Sequence, residues 1–205
     1  MPRLALRAAN VLCLVLTLVL TLGLVAGTRL AAAADPAAFV QGVGDEVVAV
    51  LKSTEPHSTP RKERLRAIFT HVFDTRGIAE FVVGRHWQRL SEDERRQYLA
   101  LFPAYVAAIY AGQFSDYRGQ NFTVTGTRPG SGVESFVAGE LSGGGIANPI
   151  ELEFRVVQAG SVMKIRDVKV DGISMLVVKR DEFGSFLNRE PPAKLLELMR
   201  KAVDG

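Results

Sequence analysis

Cysteine is almost absent. The 205-residue chain has one, Cys13, inside an apolar run near its start, so the remainder has no thiol for a disulfide, a zinc site or a nucleophile and must be held by a packed core. The three histidines, His57, His71 and His86, lack the close pairing that marks metal ligands, and no metal site is expected. His71 falls among apolar residues and is expected to be structural, while His86 beside Arg85 is expected to be solvated. No serine sits in a nucleophile elbow, and no glycine motif follows a strand and opens a helix. "SGGG" at 142–145 lacks the lysine and spacing of a phosphate loop and suits a hairpin tip.

An excess of one charge is also missing once the chain is divided. The formal net charge is +3, but Arg3, Arg7 and Arg29 lie in residues 1–34, which carry no acid. Residues 35–205 therefore balance, with 22 acidic side chains matched by the other basic ones. A nucleic-acid binder needs a basic surplus on one face, and that class is excluded.

The one long hydrophobic run, from about Val11 to Val25, follows Arg3 and Arg7 and leads to Ala32-Ala33-Ala34. Residues 1–34 have the form of a cleaved secretory signal peptide. The run also approaches the roughly 20 apolar residues of a spanning helix, which leaves an uncleaved anchor as the alternative. Residues 35–205 suffice for one domain.

What is present is helical, then alternating. Asp35-Pro36 is an N-cap with proline at the first helical position, followed by Phe39, Val43, Val47 and Leu51 at helical spacing to about Lys52. Thr59-Pro60 starts a second helix with Leu65, Ile68, Phe69, Val72 and Phe73 on one face. Asp74 caps a short third helix that Gly84 ends as a left-handed cap. Ser91 and Glu94 form a capping box for a long helix with Tyr98, Phe102, Tyr105 and Ile109, reaching toward Phe114 and bent at Pro103. Trp87 turns inward at the joint.

Beyond Gly119 the period becomes two. Phe122 and Val124, Phe136 and Ala138, Ile150 to Val156, then Met163 and Ile165 alternate with polar residues, as in strands with one buried face. The joints "PGSG", "SGGG" and "AGS" make these four hairpin-linked strands of an antiparallel sheet. After Asp171-Gly172, residues 173–183 fit a helix or a strand. "PPAKLLELMRKAV" is a final helix. The fold class is α+β.

Asp167 is the one residue offering catalysis. Alternation places it beside Met163 and Ile165 unless a bulge intervenes, where it would be a general base with a tyrosine such as Tyr110 as donor. A salt-bridged or turn-forming aspartate is the structural alternative. The wide apolar faces of the helices meet a single sheet face, so either the core is filled or a cavity lies between the layers.

Several residues carry a resemblance. "FDTRGIAEFVVGRHWQRLSEDERRQYLALFPAYVAAIYAGQFSDY", followed by strands and "MKIRDVKVDGISMLVVKRDEF", resembles the periplasmic phospholipid-binding proteins of the Mla (maintenance of lipid asymmetry) system, also called the toluene-tolerance family. The resemblance spans about Asp35 to Val203. Its marks are Phe73-Asp74, Gly84 with Trp87, Tyr110, Tyr117, and Asp167-Val168 through Gly172-Ile173-Ser174 to Arg180. Pro103 departs from the family pattern.

The resemblance implies a four-stranded antiparallel sheet wrapped by helices in a nuclear-transport-factor-like cone, lipid tails held in a hydrophobic pocket, and a helix over 173–188. It implies no catalytic residue and no cofactor. It also implies an exported carrier of glycerophospholipid, with an outer-membrane lipoprotein complex and an inner-membrane MCE-domain ABC transporter complex as partners. A hopanoid-associated carrier is the variant with another cargo. Periodicity placed on that fold gives Phe81, Val82, Phe102, Val106, Ile109, Tyr110, Phe122, Phe136, Leu152, Phe154, Met163, Ile165 and Leu176 as expected pocket lining.

Overall fold

The computed structural model describes residues 35–113 and 117–204. The export segment at 1–34, with Cys13, and the reach of the long helix to Phe114 lie outside the described residues.

Helix α1 spans Pro36–Ser53, and the Asp35 carboxylate accepts from the Ala37 N–H at 2.9 Å. Helix α2, Thr59–Val72, starts on the Ser58 hydroxyl, which accepts from the Arg61 N–H. Asp74 caps α3, Thr75–Val83. Each cap satisfies an amide that the first helical turn leaves without a partner. Gly84 ends α3, but not as the left-handed helical cap expected: its φ of 51° and ψ of −128° suit glycine alone and turn the chain into a 3-10 helix, Gly84–Arg89.

Helix α4, Glu92–Gln113, opens on the expected capping box. The Ser91 hydroxyl accepts from the Glu94 N–H at 3.2 Å, and the Glu94 carboxylate accepts from the Ser91 N–H at 2.8 Å. The helix runs continuously through Pro103.

The sheet has five antiparallel strands in chain order, not four. They are β1 Gln120–Pro129, β2 Glu134–Gly143, β3 Ile150–Ala159, β4 Val162–Val170 and β5 Ile173–Ser174. The fifth exists because Asp171 and Gly172 both adopt positive φ, 47° and 81°, as in a two-residue hairpin turn, and return Ile173 to pair with Val170. The helix expected over 173–188 therefore begins later, as α5, Met175–Arg189, with the Ser174 hydroxyl accepting from the Val177 N–H. Helix α6, Pro192–Asp204, closes the chain.

Register assigns the sheet faces. Phe122 is opposite Leu141, Val137 opposite Phe154, Gly139 opposite Leu152, and Val156 opposite Ile165, all on the face that α1 covers along β1 and β2. Phe136 and Ala138 lie on the other face, against expectation. A strand with apolar residues on both sides does not announce its inner one. Val137 is the fully buried member, whereas the Phe136 ring lies 3.9 Å beneath the Arg128 guanidinium.

Two apolar clusters result. One is purely helical, built on Val82, Val83, Tyr98, Phe102, Phe183, Leu187 and Met199. The other joins α1 and α2 to the sheet through Val40, Leu51, Ile68, Phe122, Val137, Val156 and Ile165. Phe73 packs against both, stacked on Phe69 at 4.6 Å.

Candidate functional site

The sheet-side cluster is closed along Val137, Val156 and Ile165, which are fully buried, and around Phe122, and is more open at its other apolar residues. Gln41 on α1 donates from its amide nitrogen to the Phe122 carbonyl at 3.3 Å and accepts from the Val124 N–H at 2.9 Å, docking the helix on the outer strand. The Phe122 ring is wedged between two glycines: a Cβ on Gly44 would meet its Cδ1 at 2.1 Å, and one on Gly139 its Cε2 at 2.6 Å. Phe154 meets the same ring edge-on at 5.5 Å. Beyond this contact, Val43 and Val47 on α1 and Val124, Leu141, Leu152, Phe154, Met163 and Val168 on the sheet are only half buried. An apolar layer so incompletely covered is uncommon inside a well-packed domain. Tyr117 joins this cluster with its hydroxyl buried and unpartnered among the described residues.

The residues expected from sequence fall into separate groups. Phe122, Leu152, Phe154, Met163 and Ile165 share the inner sheet face. Val82, Phe102, Val106 and Leu176 are buried in the helical cluster, with Ile109 and Tyr110 half buried against it. Phe81 is exposed, its ring 4.5 Å beneath the Arg180 guanidinium. Phe136 lies across the sheet, in a groove of about 320 Å³ lined by Glu134, Glu153, Arg155, Asp167 and Lys169. A second concavity, of about 600 Å³ over α2 and Lys164, is equally polar. These two concavities are lined mainly by polar and charged side chains, whereas the apolar side chains of the sheet gather on its inner face.

Asp167 takes no place on that face. Ile165 pairs with Val156 and Asp167 with Arg155, so Arg166 is an extra residue that turns Asp167 to the outer side. There one carboxylate oxygen accepts from the Ser174 hydroxyl at 2.7 Å and the other from the Leu176 N–H at 3.1 Å. Both oxygens hold the start of α5. Tyr110 lies under the Lys179 ammonium at 5.9 Å, and that ammonium is bonded to Glu182 at 2.6 Å. Burial raises the Tyr110 phenol above its ordinary value, and the Glu182 and Asp167 charges add to it. The Asp167 carboxylate is thus engaged at the start of α5, away from the inner sheet face.

His86 is buried, 5% exposed, where solvation was expected. Its Nδ1 lies 3.1 Å from Arg89 Nη1, in the joint that Trp87 closes against Tyr98 at 6.3 Å. Burial first, then Arg85 and Arg89, lower its pKa from the usual 6.5. His71 is exposed. Among the described residues no group of His, Cys, Asp or Glu could hold a metal ion.

Sequence reasoning missed Gln41, a single polar residue on α1 that belongs to no motif. It also missed Arg61, buried with its guanidinium on the Leu51 carbonyl at 2.7 Å and on Thr54 Oγ1 at 3.0 Å. A proline-started helix after "STEPHS" hints at neither contact.

A family model described as MlaC protein matches residues 41–201. This chain belongs to the MlaC family. Among curated proteins, toluene tolerance protein ttg2D of Pseudomonas putida is 26% identical to this MlaC-family chain over 164 residues, covering 77% of it and 75% of the relative. A solved phospholipid-binding protein from Ralstonia solanacearum, in complex with a phospholipid, superimposes with a TM-score of 0.67 at 18% identity, over 83% of this chain and 98% of that one. The MlaC-family chain thus shares its α+β fold, an antiparallel sheet with helices, with that neighbour. No described helix is long and apolar enough to cross a membrane.

Proposed function

We propose that this protein is a carrier of glycerophospholipid that lays the acyl chains against the inner sheet face and shields them with α1 and α2. The carrying observation is the half-buried apolar layer of Val124, Leu141, Leu152, Phe154, Met163 and Val168 under a helix fixed at one strand. Membership of the MlaC family and the phospholipid-bound structural neighbour favour the same cargo.

Exposing a tail to water costs about 0.8 kcal/mol per methylene, so a two-chain lipid does not cross an aqueous space alone at a useful rate. A container answers this with hydrocarbon walls and needs few polar contacts. Opening is required, because a drug-sized pocket already takes roughly 300–1,000 Å³, and the two open concavities are polar. Separation of α1 and α2 from β3 and β4, hinged at the Gln41 contact, supplies the room. Of the residues expected from sequence, Phe122, Leu152, Phe154, Met163 and Ile165 form the floor, and Val82, Phe102, Val106, Ile109, Tyr110 and Leu176 shape the helical wall beyond Phe73.

The place of action is the periplasm, reached by cleavage of residues 1–34. The route runs between an outer-membrane lipoprotein complex and an inner-membrane MCE-domain ABC transporter complex. Balanced charge over residues 35–205 suits a shuttle that docks and leaves. Mass spectrometry of organic extracts of the protein purified from its native compartment is expected to recover stoichiometric phospholipid. Recovery of a hopanoid instead changes the cargo, and repeated recovery of no lipid overturns the carrier.

A further inference from the structure

The fold treats two buried phenols differently. Tyr98 belongs to the helical core, and its hydroxyl donates to the Ala79 carbonyl at 2.9 Å. The hydroxyl of Tyr117 is also buried, yet it has no hydrogen-bond partner among the described residues. The side chains of the cluster it packs against are hydrocarbon and ring carbon with one thioether, Met163. Buried hydroxyls are almost always satisfied, and one left without an acceptor weakens the fold unless a partner arrives from outside.

The position of Tyr117 narrows what that partner is. Arg118 and Gly119 beside it are exposed, and β1 begins at Gln120, so the phenol stands at the rim of the apolar layer. At such a rim the hydrocarbon of a lipid ends and its polar part begins. The ester carbonyls are the neutral acceptors nearest the tails, whereas a charged phosphate is far costlier to bring out of water.

We infer that the Tyr117 hydroxyl donates a hydrogen bond to an ester carbonyl oxygen of the bound lipid, fixing where the acyl chains begin relative to β1. This deepens the carrier reading and rests on it. The bond makes the protein prefer acyl esters over alkyl ethers of the same head group and chain length. It also leaves the lipid-free protein with an unsatisfied donor, which favours reloading.

The test presents the lipid-free protein with vesicles containing equal amounts of a diacyl phosphatidylglycerol and its dialkyl ether analogue, then measures by mass spectrometry which lipid the re-isolated protein holds. The expected preference for the ester is about five- to tenfold, the ratio given by one net hydrogen bond. Tyr117→Phe keeps the ring and is expected to bring the ratio to near one while the lipid-free melting temperature stays level or rises. A Tyr117→Phe protein that keeps the wild-type ratio overturns the inference, as does wild-type protein with no preference. A variant that fails to fold shows the hydroxyl to be bonded within the chain, with the same result. Uptake of neither lipid by either protein removes the carrier reading as well, so the two failures are distinguishable.

Discussion

Asp74 ties the helices to the irregular point of the sheet through Arg166. Its Oδ2 accepts from Arg166 Nε at 3.0 Å and Nη2 at 2.7 Å, while its Oδ1 accepts from the Gly77 N–H at 3.1 Å. The Asp74 N–H completes the junction by donating to the Ile165 carbonyl at 2.9 Å. Arg166 is the extra residue of β4, so one carboxylate both caps α3 and holds the bulge that turns Asp167 outward. Replacing Asp74 by Ala removes a cap worth about 1 kcal/mol and a half-exposed ion pair worth at most about 1 more. The melting temperature, followed by circular dichroism, is expected to fall about 2–8 °C. Asp74→Asn keeps an acceptor for the cap and is expected to lose about half as much.

Two glycines of α1 are expected to respond in opposite directions. Alanine in a helix interior is ordinarily favoured over glycine by about 1 kcal/mol. At Gly42 nothing lies within 4 Å of the added carbon, and Gly42→Ala is expected to raise the melting temperature. At Gly44 the carbon would meet Phe122 at 2.1 Å, and Gly139 blocks the ring from yielding, so an overpacking cost of about 1–3 kcal/mol outweighs propensity. Gly44→Ala combined with Phe122→Leu is expected to be more stable than the sum of the single changes. Additive losses in denaturant titrations would show that the two positions do not touch.

Acid is expected to weaken the fold in a window set by His86. Its pKa in the folded chain lies below the 6.5 of the free side chain because burial, then Arg85 and Arg89, oppose its charge. The unfolded chain thus binds a proton that the folded chain refuses. Stability is full above about pH 6.5 and declines as pH falls toward the lower folded value. Glu153 acts in a more acidic range: hydrogen bonds from Lys169 and Arg128 lower its pKa from 4.5, so its contribution is present above that value and lost below it. Melting temperatures measured from about pH 8 to about pH 5 should therefore fall, and His86→Gln should flatten the slope. An unchanged slope would place the titration elsewhere.

A charge on the proposed floor should abolish loading without unfolding the chain. Leu152 is half buried, so Leu152→Lys is expected to cost about 1 kcal/mol in stability, the usual size for a single change. The lipid recovered with the purified variant is expected to drop at least tenfold, since tails no longer meet a hydrocarbon surface. Retention of wild-type lipid by a folded Leu152→Lys protein would move the site off this face.

The local rules carried most of the fold. Asp35-Pro36, Asp74 and the Ser91-Glu94 box each start a helix as their chemistry requires, and glycine joints separate the long strands. Asp171-Gly172 was visible as a break, but two residues of strand after it are too short for periodicity to register. The site was less legible for three reasons. Alternation defines two faces of β2 without saying that Val137, not Phe136, is inner. One inserted residue at Arg166 reverses Asp167 and leaves no mark in composition. His86 is buried by the packing of its joint, although its neighbours Arg85 and Arg89 are polar.

The outer strand β1 has consequences beyond this molecule. Where Phe122 and Val124 would offer their backbone groups to another chain, the Gln41 amide already occupies them, and a register shift between Val124 and Gly126 breaks the line. At the opposite margin β5 is two residues long, and the Phe73 bridge shields Ile165. Both flanks of the sheet are thereby blunted against strand addition, so copies crowded together are denied the template from which amyloid-like stacks grow.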